Sequence, residues 1–352
     1  MIKTQTPDGD LAAACCTAGL NYVVRRTGGM KREKRGKQWV YIDEAGKRVR
    51  SASTLKRIAS LVIPPAWTDV WISADPRAHV QATGKDARGR TQYRYHAQWR
   101  EAMETLKYDR MIAFASALPT IRTTVKRDLK RKGLPREKVL AAVVRLLEET
   151  LIRIGNEEYV RENRSFGLST LRDEHVTVRG KHLHFHFRGK SGKVHDIDID
   201  DHNVAPIVRS CKNLPGREVF EYVDADGKIH DITAQDVNEY LHRISKGDFT
   251  AKDFRTWAGT VHTALALEDC PPCSNRTQAK RNVVVAVKKV ASTLGNTPAV
   301  CRKSYIHPLV LTRYVEDRKK PLLRRSASKK SHPHHPGLSV AEGAVLELLE
   351  GE

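Results

Sequence analysis

The chain has 352 residues, with 62 Lys and Arg against 41 Asp and Glu, a formal charge of +21. With 40% hydrophobic and 29% charged residues, it is neither disordered nor fibrous, and it is long enough for two domains with cores of their own. A positive surplus of this size calls for a polyanionic partner. No long apolar run or lipid-binding amphipathic helix competes, so nucleic acid is expected and a membrane is not. The opening MIKTQTPDGD carries acids and no apolar stretch, so no secretory leader is expected. Six Cys in a chain of this length suit a reducing cytoplasm rather than a disulfide scaffold.

Gln38–Val49 (QWVYIDEAGKRV) predicts a hairpin turning at Glu44-Ala45-Gly46. A helix over Thr54–Leu61 must stop before Pro64-Pro65. The strand Asp69–Ser73 follows, and then His79–Thr83 and Arg90–His96 flank a turn as a second hairpin. After His96 the apolar spacing becomes helical, over Trp99–Leu118 and Lys138–Ile154. The stretch between them, Arg122–Lys138, is dense in Lys and Arg, either a solvated helix face or a phosphate-contacting one. Three alternating strands are predicted at His175–Val178, His182–Arg188 and Val194–Asp200, with turns at Arg179-Gly180 and Gly189–Gly192. Helices are expected over Ala234–Ser245, Phe254–Leu267, Arg276–Leu294 and Pro308–Asp317. Arg318–Pro336 is basic and rich in Pro, Ser and His, a mobile linker or DNA-tracking arm, and Leu338–Leu349 fits one amphipathic helix. The fold class is α+β. A small β-rich N-terminal domain (1–98) precedes a larger, mainly α-helical domain (99–317) with a three-stranded antiparallel sheet, and a basic tail and helix close the chain (318–352).

Several chemical readings are weak. The sequence has no Gly-x-x-x-x-Gly-Lys-Ser/Thr pattern, which argues against an ATP-driven motor. Cys270 and Cys273 have zinc or redox spacing but no second pair, so a helix-connecting turn is the simpler reading. Asp196, Asp198 and Asp200 share one strand face, which suits an exposed polar face better than a magnesium site. His332, His334 and His335 read as solvated.

Cleaving a phosphodiester without metal needs planar cations for the non-bridging oxygens, a nucleophile, and an acid for the leaving oxygen. Arg153 follows a strongly apolar helix, Arg255 lies at a helix start, Lys190 lies at a hairpin tip and Tyr305 lies near a helix end. Taken singly, each residue has an ordinary structural reading.

In order, however, IRIGNEEYVRENRSFGLSTL, FRGKSGK, KDFRTWAGT and LGNTPAVCRKSYIHP resemble the type IB DNA topoisomerases of the poxvirus-like and bacterial branch, whose catalytic fold the tyrosine recombinases share. GKDARGRTQYRYH resembles that branch's GxDxxGRxQYxYH-type DNA-contacting segment, so the likeness runs from Trp39 to Tyr314. The resemblance implies a C-shaped clamp on double-stranded DNA. Tyr305 would form a 3′-phosphotyrosyl link, Arg153 and Arg255 would hold the non-bridging oxygens, and Lys190 would protonate the departing 5′ oxygen. Lys252 would serve as a second acid or a phosphate contact. Where poxvirus enzymes and most recombinases carry His before the tyrosine, this chain has Asn296, which can donate a hydrogen bond but cannot carry charge. In the first domain Arg88, Arg90, Gln92, Tyr93 and Tyr95 would contact DNA, with the two tyrosines on one strand face. The implied activity is supercoil relaxation by nicking, rotation and religation without ATP, metal or other cofactor. The enzyme would act as a monomer on DNA, in the cytoplasm at the nucleoid. A site-specific recombinase or a non-catalytic DNA-binding protein remain as alternatives.

Overall fold

The first sheet buries one face against a short helix. The computed structural model describes residues 9–23, 28–36, 38–271, 273–317, 321–323, 332 and 334–351. The chain divides into two units, Met1–Asp109 and Arg110–Glu352. In the first unit, α1 (Gly9–Thr17) precedes β1 (Gly29–Arg35), β2 (Gln38–Ile42), α2 (Ala52–Ser60), β3 (Thr68–Ser73), β4 (Val80–Lys85) and β5 (Thr91–Tyr95). The five strands form one sheet ordered β2-β1-β3-β4-β5, antiparallel throughout. Ile58 of α2 packs with Met30, Val70, Ile72 and Ala82 of the sheet.

The predicted Gln38–Val49 hairpin is corrected here. The turn is present, with the Gly46 amide donating to the Asp43 carbonyl, but β2 pairs along its length with β1 and meets the following segment only at the Ile42–Arg48 bridge. In GMKREKR only Met30 is buried, so β1 lacks the alternation that would have revealed it. Arg32 on β1 donates to the carbonyls of Pro64 (3.1 Å) and Trp67 (2.6 Å), which fixes the two-proline turn.

Helix α3 (Ala97–Asp128) begins in the first unit and continues into the second. The sequence reading stopped it at Leu118, before Pro119. The helix runs on because Phe114, Leu118, Ile121 and Val125 keep burying one face at helical spacing, which outweighs the single hydrogen bond that proline removes. The arginines of the basic run that overlaps its end are paired within the protein. Arg122 bridges Glu148 and Glu342, Arg127 and Arg131 pair with Asp128, and Arg136 pairs with Asp236.

The second unit is built around α4 (Arg136–Thr150), which is buried on nearly every side from Val139 to Leu147. Around it lie α5 (Glu157–Asn163), a three-stranded sheet of β6 (Val176–Arg179), β7 (His182–Arg188) and β8 (Val194–Asp200), α6 (Val204–Lys212), and a small hairpin of β9 (Glu221–Val223) and β10 (Ile229–Asp231). Helices α7 (Ala234–Ser245), α8 (Ala251–Glu268), α9 (Arg276–Thr293), α10 (Pro298–Ser304), α11 (Pro308–Glu316) and α12 (Val340–Glu350) complete it. Strands β7 and β8 pair from His182↔Asp200 to Arg188↔Val194. Their inner face buries Leu183, Phe185 and Phe187. On the outer face each aspartate meets a histidine: His182–Asp200 at 3.0 Å, His184–Asp198 at 2.8 Å and His186–Asp196 at 3.1 Å.

Most of the basic stretch predicted at Arg318–Pro336 lies outside the described residues, apart from 321–323, 332 and 334–336. The histidines at its end are not all solvated: His334 is exposed, but His332 is buried against α12. No described helix is long and apolar enough to cross a membrane. Because Leu147 is fully buried in α4, Leu147→Ala should cost about 3 kcal/mol. Urea melts followed by tryptophan fluorescence would show it, and Leu265→Ala, at a 38% exposed position, should move the midpoint little.

Candidate functional site

The site forms where the ends of α4, α8, α9 and α10 come together. Helix α4 ends at Leu151 in the left-handed region (φ 55°), with its amide donating to the Leu147 carbonyl. The turn sends the next residues out as an extended segment that buries Ile152 and carries Arg153. Its path is held by two further backbone bonds: the Leu168 amide to the Arg153 carbonyl at 2.9 Å and the Ser169 amide to the Ile154 carbonyl at 2.7 Å.

Arg255 stands on the first turns of α8 at only 3% exposure. The helix start is fixed by Asp253, which accepts from the Thr250 amide (2.8 Å) and hydroxyl (3.0 Å) and pairs with Arg110. The Arg255 guanidinium donates to the carbonyls of Leu151 and Leu294, the latter at 2.6 Å, and lies 5.4 Å from the centre of the Tyr305 ring. Burial, with Arg153 nearby, pulls its pKa down to about 10.

Tyr305 caps the C-terminal end of α10, its amide donating to the Cys301 carbonyl. Its own carbonyl is pressed against α8: a Cβ built on Gly259 would come within 2.5 Å of it. Glycine is therefore required there, and the Thr260 hydroxyl donates to the same carbonyl at 3.4 Å. Burial alone would raise the Tyr305 phenol, but Arg255, Arg153 and Lys252 together overcome it and hold the pKa below the ordinary tyrosine value.

Lys190 sits in the turn between β7 and β8, which needs positive φ at Ser191 (62°) and Gly192 (74°). Its ammonium lies 5.4 Å from the Tyr159 ring centre. Arg153, Lys190, Lys252, Arg255 and Tyr305 all line one cleft of about 420 Å³, together with Tyr159 and Phe166. Residues from four separate segments are thereby brought together. Asn296 does not line the cleft, but it is joined to it through Arg153, which donates to its Oδ1. Lys193 donates to the Asn296 carbonyl at 3.1 Å. Asn296 is 8% exposed, and its Nδ2 and the Nε of Arg255 are buried without a hydrogen-bond partner. Orphaned donors among cations form a site suited to an anion.

One neighbour escaped the sequence reading. His195 stacks on Phe187 (4.9 Å between ring centres) and presses on Gly295, where an added Cβ would meet its ring at 3.1 Å. Burial, then Arg153, Arg255 and Lys193, push its pKa down, favouring the uncharged ring. Its only signal was position: on β8 it shares the inner face with Ile197 and Ile199.

In the first unit, Tyr93 and Tyr95 are exposed and stacked, ring centres 5.7 Å apart and 9° from parallel. Arg90 and Gln92 reach Asp86, at 2.8 and 3.0 Å, and the Arg90 contact above all holds the Asp86 carboxyl down to about 2. These two residues therefore order the turn, while Arg88 is exposed on it. Cys273 meets the Tyr314 hydroxyl and Asn282, both at 3.3 Å, and neither Cys270 nor Cys273 is in a disulfide.

Residues 96–330 match the family model described as the catalytic core of eukaryotic DNA topoisomerase I, and residues 38–86 match the N-terminal domain of bacterial DNA topoisomerase IB. The chain is 32% identical over 295 residues to DNA topoisomerase 1B of Acanthamoeba polyphaga mimivirus, covering 81% of this chain and 87% of that protein. It is 23% identical to DNA topoisomerase 1B of Vaccinia virus (strain Copenhagen), covering 65% and 70%. Against DNA topoisomerase 1 of Mycosarcoma maydis it is 24% identical over 233 residues, 60% of this chain and 23% of the fungal one. With a catalytic-core match over two thirds of its length and an N-terminal match specific to the bacterial form, the chain belongs to the type IB DNA topoisomerases, DNA-binding isomerases of DNA topology.

Proposed function

We propose that this enzyme relaxes duplex DNA through a 3′-phosphotyrosyl intermediate formed in the Tyr305 cleft, acting as a monomer on DNA. The observation that carries this reading is the convergence of Arg153, Lys190, Lys252, Arg255 and Tyr305 on one cleft. Tyr305, its proton released to solvent, attacks the scissile phosphorus. Arg153 and Arg255 neutralise the non-bridging oxygens, and Asn296 orients Arg153 by accepting from it. The bond from phosphorus to the 5′ oxygen breaks as Lys190 gives that oxygen a proton, so the free end leaves as a hydroxyl and can rotate. Lys252 contacts an adjacent phosphate. Religation reverses each step: the 5′ hydroxyl attacks phosphorus, its proton returns to Lys190, and Tyr305 leaves. The phosphodiester energy stays in the phosphotyrosine, so strand closure needs no ATP. Arg88, Tyr93 and Tyr95 contribute backbone contact and a stacking surface, on a turn ordered by Arg90 and Gln92.

The decisive test is relaxation of a supercoiled plasmid in EDTA without ATP. Wild type should relax it and Tyr305→Phe should not, while DNA affinity of the variant stays within a few-fold. A Tyr305→Phe protein that still relaxes DNA would remove the assigned nucleophile, and a wild type that binds without relaxing would favour the non-catalytic reading.

Lys190→Ala should slow cleavage by about 10²–10⁴-fold. A substrate with sulfur at the 5′ bridging position leaves as a thiolate and needs no proton. It should restore the rate, and an unrescued variant would take Lys190 out of the acid role.

The charge field also makes Tyr305 distinct. In ¹³C-tyrosine NMR it should titrate below the ordinary phenol value of about 10, whereas burial raises Tyr95, Tyr108, Tyr240 and Tyr314. Lys252→Met should move Tyr305 upward. Its folded-state value lies below the unfolded one, so this phenol adds stability that is full above the unfolded value and lost as pH falls through the folded one.

A further inference from the structure

The end of the chain holds a group of side chains that the reaction does not use. His332 is 4% exposed and Glu347, on α12, 7% exposed. The Nε2 of His332 lies 3.6 Å from Glu347 Oε1, beyond hydrogen-bond length. His332 Nδ1 and His335 Nε2 are both buried without a partner. Ligand atoms from His332, His335 and Glu347 all lie within 4.8 Å of one another, and the two rings are 5.4 Å apart at 32°. The arrangement is seated in the fold. A Cβ on Gly343 would come 2.2 Å from His332 Cγ, so α12 carries a glycine where the imidazole presses on its backbone. The turn above it is closed by the His332 amide donating to the Leu338 carbonyl and the Leu338 amide to the His335 carbonyl. Arg122 secures the same turn from α3 through the Gly337 carbonyl at 2.9 Å and Glu342.

Two imidazoles with orphaned nitrogens and a buried carboxylate are each costly as they stand. An ion pair between His332 and Glu347 would still leave the His335 Nε2 without a partner, whereas a borderline divalent cation can take one nitrogen from each ring and an oxygen of Glu347. We propose that His332, His335 and Glu347 bind a zinc ion that clasps the 334–338 turn and His332 to α12. At zinc–ligand distances of about 2.0–2.1 Å, a tetrahedron has edges of about 3.3–3.4 Å. The 3.6 Å separation of His332 and Glu347 therefore needs only a small contraction, and water completes the fourth position. The role is structural. Helix α12 packs on α8 and α11, the helices on either side of Tyr305 in the unit's core, and the ion holds that layer in place away from the cleft.

The test is metal content of the full chain, stripped with a chelator, dialysed against Zn²⁺ and measured by mass spectrometry. One tightly held ion per chain is expected, and His335→Gln and Glu347→Gln should each reduce it well below one. His184→Gln/His186→Gln should retain it, which separates the clasp from the exposed group of His184, His186 and Asp196. His335 is only partly buried, so its variant should keep the wild-type circular dichroism. Zinc at a hundredfold excess over its Kd should raise the Tm of wild type by about 5 °C and leave His335→Gln unmoved. A chain that holds no zinc overturns the proposal. So does one whose zinc and Tm shift survive His335→Gln and Glu347→Gln, or are lost with the strand histidines. None of these readouts depends on DNA cleavage, so the clasp and the Tyr305 mechanism stand or fall separately.

Discussion

A guanidinium removed from water is expensive unless hydrogen bonds replace its hydration, and Arg255 at 3% exposure sets that demand on everything around it. The demand is met by two main-chain carbonyls, those of Leu151 and Leu294. Each belongs to the residue that ends a helix, α4 in one case and α9 in the other. The left-handed residue at Leu151 thus has two consequences. It turns a carbonyl towards Arg255, and it redirects the chain so that Arg153 enters the same cleft. Burial, and after it the repulsion of the like charge on Arg153, bring Arg255 down to about 10. The same field lowers Tyr305 against its own burial. One arrangement of cations therefore both charges the cleft and lowers the phenol, which is the preorganisation that the proposed reaction would use.

The parts of this fold legible in the sequence were those with a strong local period. Strands β7 and β8 alternate cleanly, and α4 and α7 have continuous apolar faces, so their limits could be read within four residues. The strand β1 could not, because six of its seven residues gave no inward pattern, and the hairpin drawn around β2 was assigned the wrong partner. Helix α3 passed its proline because tertiary burial continued beyond it. For the basic run that overlaps the end of α3, composition left a solvated face and phosphate contact open. Arg127 and Arg131 pair with Asp128 inside the run, while Arg122 and Arg136 pair with Glu148, Glu342 and Asp236, acids too far away in sequence to weigh.

The site shows the same division between local and long-range information. Arg153, Lys190, Arg255 and Tyr305 each had an ordinary reading, and no spacing rule joins residues 150 positions apart. Their order along the chain carried what spacing could not, because it matched a family pattern. His195 had no place in that pattern. The C-terminal histidines were misread for a different reason: their Pro- and Ser-rich surroundings suggest exposure, while the notch that receives His332 is made by Gly343, a small residue on a helix of otherwise ordinary composition. Burial created by a missing side chain elsewhere leaves no trace in the local sequence.

Asn296 follows from the same field. A histidine there could carry charge, but it would stand beside Arg153 and close to Arg255, the neighbours that already help push the His195 pKa down. An amide avoids that repulsion. Its oxygen accepts from Arg153 and so aims the guanidinium, and its nitrogen is left as an unpartnered donor. The position orients Arg153 with a group that does not titrate. In the proposed mechanism the cost is the charge that an imidazolium would have supplied to the transition state. The phenol is the group whose proton the surrounding cations help release.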